Sequence, residues 1–354
     1  MRGSLLDRLW IGLIPLAMAC SSSTEIRVSG GATLDAQADS IMVPAADAVV
    51  ADAGVPDASP PSRNPSEMGG YTVENRSLRV SVGDDDQTIG VELFLPEGMD
   101  DFPLVIFTRG LVVGSDGYRG LAGYAASHGF AVGFPIFECS FGQCPIATRA
   151  NESIQVAEAL GGILSRETPS RRITSVGYMG HGVGASIAIA AGSATPVGQA
   201  VLVLMPNNLS DYSGGWTGPP VYNDEYPDLR DRIPGLESAG LFGAPSAGSP
   251  VEPAEKGSER LARSVRELPR HVHWRWLEPD IAWMDVLSDP SVCVESCLMS
   301  YGPTSPNYDE VQRSIKTLMV AFFAQALLGE DMEAWLNPED PDMMNSFEWS
   351  PEGG

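Results

Sequence analysis

The sequence predicts an α/β fold with a central, mostly parallel sheet and helices on both faces. Three observations predict it. Between residues 70 and 328, short apolar runs alternate with helical patterns, the order that sets parallel strands side by side under crossover helices. Residues 103–108 and 130–135 are almost continuously apolar, as strands buried on both faces are. Near the end, residues 308–328 carry Val311, Ile315, Leu318, Met319, Phe322 and Phe323 at helical spacing.

In chain order, residues 72–82 and 88–95 alternate or run apolar, as paired strands do. Asp84, Asp85 and Asp86 sit between them as a turn. Residues 103–108 form the first buried strand. Residues 118–128 read as a helix, which Gly129 stops. A second buried strand follows at 130–135, then a helix at 152–164. Residues 173–179 form a strand and 183–191 a helix of small residues. Residues 200–205 are another strand, and 235–242 and 271–277 are later ones. There is no internal repeat. These elements assign residues 69–330 to one domain.

The segments on either side differ in texture. Residues 1–20 read as an export signal. Arg2 and Arg8 precede an apolar run of about 11 residues, too short to span a bilayer. The run ends in Leu16-Ala17-Met18-Ala19-Cys20, followed by three serines. Small residues before a cysteine resemble a bacterial lipobox, which implies acylation of Cys20 and a membrane-anchored lipoprotein of the cell envelope. The alternative is an ordinary cleaved signal and a secreted protein. Residues 21–68 are rich in Ala, Asp, Ser and Pro and short of large apolar side chains, so they read as a disordered acidic tether. Residues 331–354 contain acids but no Lys or Arg and read as an acidic tail. The chain has a formal net charge of −24, which repels phosphate backbones and argues against nucleic-acid binding. With Cys20 set aside, four of the five cysteines remain. An even number fits disulfides in an oxidising compartment. Of the three pairings, the local ones, Cys139–Cys144 and Cys293–Cys297, close short loops and are favoured. No spacing matches a zinc site, and no cofactor motif or metal-ligand cluster stands out.

Two anchors carry a resemblance. The first is Phe102-Pro103-Leu104-Val105-Ile106-Phe107-Thr108-Arg109-Gly110, with Tyr118-Arg119-Gly120-Leu121-Ala122 and Ala126-Ser127-His128-Gly129-Phe130. The second is Val176-Gly177-Tyr178-Met179-Gly180-His181-Gly182-Val183-Gly184-Ala185. A weaker third is Val203-Leu204-Met205-Pro206-Asn207. In order and spacing, residues 70–330 resemble the α/β-hydrolase superfamily, and within it the cutinase-like polyester hydrolases and chlorophyllases. The resemblance implies an α/β-hydrolase fold, with Gly180, His181, Gly182, Val183 and Gly184 as its nucleophile elbow and Arg109, Gly110 and Leu111 as its first oxyanion region. The elbow turns sharply from strand to helix, presents a serine oxygen, and sets the next backbone N–H in the oxyanion hole.

The resemblance also exposes what is missing. The nucleophile position is Gly182, which has no side chain. Ser186, one helical turn on, is expected to face helix packing. The family's acid loop corresponds to Ala244-Pro245-Ser246-Ala247-Gly248-Ser249, with no carboxylate. The loop that would hold the base, near Asp280-Ile281-Ala282, has no histidine. His271 and His273 sit at the start of their strand, the wrong end for a site built at strand C-termini. His128 is expected to be structural, and Arg109, beside the oxyanion position, to form a surface salt bridge.

Three functions follow as expectations. The first is a non-catalytic hydrolase-fold protein that binds an apolar or ester-like small molecule in the old cleft. The second is a carboxylic ester hydrolase with a non-standard catalytic set drawn from Asp280, Glu278, Glu138 or Asp211. The third is an envelope scaffold for a protein partner.

Overall fold

An antiparallel hairpin opens the domain. β1 (Val73–Val82) pairs with β2 (Gln87–Pro96) in unbroken register from Val73↔Pro96 to Val82↔Gln87. β2 then pairs antiparallel with β4 (Ala131–Ile136), while β3 (Asp101–Thr108) lies parallel between β4 and β5 (Arg172–His181). β6 (Ala200–Leu204), β7 (Ser238–Gly243) and β8 (His271–Trp276) extend the parallel run. β9 (Phe347–Trp349) closes it antiparallel. The sheet order is β1-β2-β4-β3-β5-β6-β7-β8-β9. This computed structural model describes residues 63–83, 87–110, 113–139, 144–195, 200–206, 224, 227–243, 261, 264–265, 268, 271–276, 283–293, 304–336 and 347–349. All of them belong to the second of two units, which begins at Ser59.

The continuous apolar strands follow from a core on each face. Val105 and Phe107 of β3 pack on one side with α1 (Arg119–Ser127) and α4 (Tyr308–Leu328). Leu104 and Ile106 pack on the other with α2 (Ile146–Glu167) and α3 (Val183–Ala194). Successive side chains of a strand point to opposite faces, so covering both faces leaves no place for alternation. On α4 the six apolar residues at helical spacing are all buried. α4 ends at Gly329 in the left-handed conformation, φ 69°.

Three features differ from the sequence expectations. α2 starts at Ile146, not at residue 152, directly after Cys144 and Pro145. Its first turns carry Arg149 paired with the buried Glu152, so charged side chains mask its apolar face. The strand expected at 235–242 starts at Ser238, and residues 233–235 are instead a 3₁₀ turn. The acidic tail is not uniform: it holds the short helix α5 (Glu333–Leu336) and β9.

The domain also begins before residue 69. Arg63 bonds both carboxylate oxygens of Glu330, at 2.9 and 2.8 Å, reaches His128 O, and stacks over Phe130 at 5.2 Å. The Tyr124 hydroxyl meets Pro65 O and Glu67 O, each at 2.7 Å. These are polar, side-chain-to-backbone contacts, which composition does not announce. Phe130 precedes β4, so this clasp lies at the strand N-terminal end of the parallel sheet. No helix of the described residues is long and apolar enough to cross a membrane. The turn at residues 84–86 lies outside the described residues.

Candidate functional site

β5 ends at His181 and α3 starts at Val183, so a single residue, Gly182, makes the turn between them. Its backbone has φ 56° and ψ −120°, a conformation open to glycine at little cost and strained for any other residue. Gly182 N–H donates to Leu204 O of β6 at 3.1 Å, and Gly182 O accepts from Ala185 N–H at 3.1 Å. The turn is therefore held from the neighbouring strand and from its own helix. The flanking glycines are required by space. A Cβ on Gly180 would lie 2.2 Å from Gly184 O, and one on Gly184 would lie 2.1 Å from Thr108 O. Thr108 adds a side-chain lock, with Oγ1 2.6 Å from Gly184 O and 3.1 Å from Met179 O. Val183 N–H is the first amide of α3, one of those an α-helix leaves without an intrahelical partner.

His181 is fully buried. Its Nδ1 lies 2.7 Å from the Tyr118 hydroxyl, which in turn accepts from Gly110 N–H at 3.0 Å. The phenol has one proton, and with its oxygen already accepting from Gly110 it donates to Nδ1. The imidazole proton then sits on Nε2. Burial pushes the His181 pKa down to about 3, so the ring is neutral at ordinary pH. This chain joins the loop after β3 to the elbow through Tyr118. Tyr118 stands in the first sequence anchor, where the only signal for this role is a tyrosine at the start of a helix that follows a buried strand.

Arg109 does not form the expected surface salt bridge among the described residues. Its Nη1 donates to Val113 O at 2.6 Å and its Nη2 to Phe137 O at 2.8 Å. Burial lowers its pKa from the usual guanidinium value, opposed by the nearby Tyr118. It fastens the loop after β3 to the segment after β4. Cys139 and Cys144 form a disulfide (S–S 2.10 Å) beside that segment, one of the two local pairings expected. Cys20, Leu111 and Cys297 lie outside the described residues, so the Cys293–Cys297 pairing does too. So do the acid loop at 244–249, the base loop at 280–282, and Asp211, Glu278 and Asp280.

The remaining candidates fall apart in space. Ser186 is fully buried in α3. Glu138 is exposed. His128 packs on Tyr124 at 5.0 Å and its Nε2 donates to Glu67 O at 2.8 Å, so it belongs to the clasp. His271 and His273 begin β8, opposite Ala239 and Leu241. No group of three or more His, Cys, Asp or Glu among the described residues could hold a metal. The site thus has a formed strand–turn–helix elbow, a helix-start amide and a neutral, committed imidazole, with no side chain at the residue that makes the turn. The sequence matches no protein-family model, and no curated protein is significantly similar to it.

Proposed function

We propose that this chain is an α/β-hydrolase-fold protein that does not catalyse, and that its cleft above the elbow holds an apolar or ester-like small molecule. One observation carries the reading: the elbow at Gly182 keeps its turn, with φ 56°, and has no side chain to act from it. The strand–turn–helix geometry, the glycines pressed against Gly184 O and Thr108 O, and the parallel run with β3 and β4 exchanged support the fold assignment. The adjacent imidazole supports the loss of chemistry. His181 is neutral, buried and bonded to Tyr118, so it is not placed to serve as a general base. Removing a triad nucleophile costs about a millionfold in the subtilisin case, and the surviving oxyanion hole leaves about a thousandfold over water. A binding role needs neither residue.

The resemblance of residues 1–20 to an export signal with a lipobox-like end supports a role outside the cytoplasm, on a tether from an acylated Cys20. The purified chain is expected to leave short-chain nitrophenyl esters uncleaved above background, while a fluorescent fatty acyl ester binds saturably. Ester turnover abolished by Arg109→Met would sink the proposal in favour of an unusual hydrolase. The anchor is tested separately by labelling cells with a palmitate analogue, which is expected to mark the chain and not its Cys20→Ala variant.

A further inference from the structure

A cavity of about 360 Å³ opens between the start of α4, Tyr124 of α1, Ser66 and Ser288, and no elbow residue lines it. Such a volume suits a small organic ligand. Lysine is scarce in this acidic chain, yet Lys316 and Arg313 both line this cavity. Neither side chain forms an ion pair or hydrogen bond among the described residues. Lys316 Nζ sits 5.9 Å over the Tyr124 ring, and burial lowers its pKa. Asp309 is the one acid among the described residues of the lining. Two cations against one carboxylate leave one net positive charge, which suits a single carboxylate better than a phosphate dianion.

The neutral wall is more specific still. Its hydroxyl protons are already committed. Tyr308 donates to Leu287 O at 2.8 Å, and Tyr124 is held by Pro65 O and Glu67 O at 2.7 Å. Ser288 donates to Gly117 O at 3.0 Å, and Ser66 to Asn64 Oδ1 at 2.8 Å. These oxygens can therefore only accept from a ligand. Cations beside a wall of lone pairs ask for a carboxylate that carries its own O–H donors.

We infer that this cavity binds a small hydroxycarboxylic acid, with the carboxylate on Arg313 and Lys316 and the ligand hydroxyls on the acceptor wall. The inference is independent of the elbow. Titration calorimetry on the full chain, at constant ionic strength, would use glycolate, D-gluconate and D-glucuronate. Acetate serves as the control without a hydroxyl and D-glucose as the control without charge. At least one hydroxy acid is expected to bind about tenfold or more tightly than both controls. Arg313→Gln and Lys316→Gln are each expected to weaken it about tenfold, with the circular dichroism unchanged because Arg313 is exposed and Lys316 is only half-buried. Binding by none of the three acids would overturn the inference. So would equal binding of acetate or glucose, or full affinity in the Arg313→Gln, Lys316→Gln double variant.

Discussion

Gly182 occupies a backbone conformation that costs a residue with a Cβ about 1–3 kcal/mol. Under the proposed function, glycine at this turn removes that strain together with the side chain that would act from it. Gly182→Ser is therefore expected to lower stability by about 1–3 kcal/mol in urea denaturation and to leave ester hydrolysis at background. His181 supplies a second residue-scale prediction. Its pKa is about 3 in the folded chain against 6.5 for an unhindered imidazole. Between these values the unfolded chain binds the extra proton, so stability rises with pH. It is fully present above about 6.5 and is lost as pH falls toward 3, by roughly 1.4 kcal/mol per pH unit from this group. Denaturation midpoints at pH 7, 5.5 and 4.5 check the slope, and His181→Asn is expected to flatten it. The turn at Gly182 was legible in the sequence, because it sits among closely spaced glycines between a strand pattern and a helix of small residues. The Tyr118–His181 bond was not, because 63 residues separate the partners.

Strands and helices were read well where burial sets the pattern. β3, β4 and β6 are apolar on both faces, and α4 shows its apolar residues at helical spacing. Elements held by polar contacts were read poorly. The start of α2 is masked by the Arg149–Glu152 pair. The segment from Arg63 to Glu67 has the composition of a tether, yet it docks through a bidentate ion pair and backbone carbonyls. Arg63→Met is expected to cost about 1 kcal/mol, more than most exposed ion pairs, because Arg63 and Glu330 are both partly buried, with side chains 18% and 31% exposed. Thermal denaturation of this variant and of Glu330→Gln would measure it. If the pair acts as a unit, the double variant will lose little more than either single one.

Charge acts on the molecule as a whole. A formal net charge of −24 opposes compaction through self-repulsion. Raising NaCl from 20 to 200 mM, roughly a threefold shortening of the screening length, is expected to raise the denaturation midpoint. Reversing that trend would mean that local ion pairs such as Arg172–Asp101 outweigh the global field. Fold class was legible at this scale because α/β alternation is a property of the whole sequence. The partner of each cation was not, since Arg109 found backbone carbonyls where a carboxylate had been expected.

The Arg63 clasp has a mechanical consequence. A load drawn through the N-terminal segment would reach Arg63, Pro65 and Glu67 before it reached β1. The guanidinium fork, the Tyr124 hydroxyl and the Phe130 stack would yield first, and the hairpin behind them would stay zipped. The elbow lies at the other end of the parallel strands, so tugging on the chain would leave its geometry undisturbed until the clasp had let go.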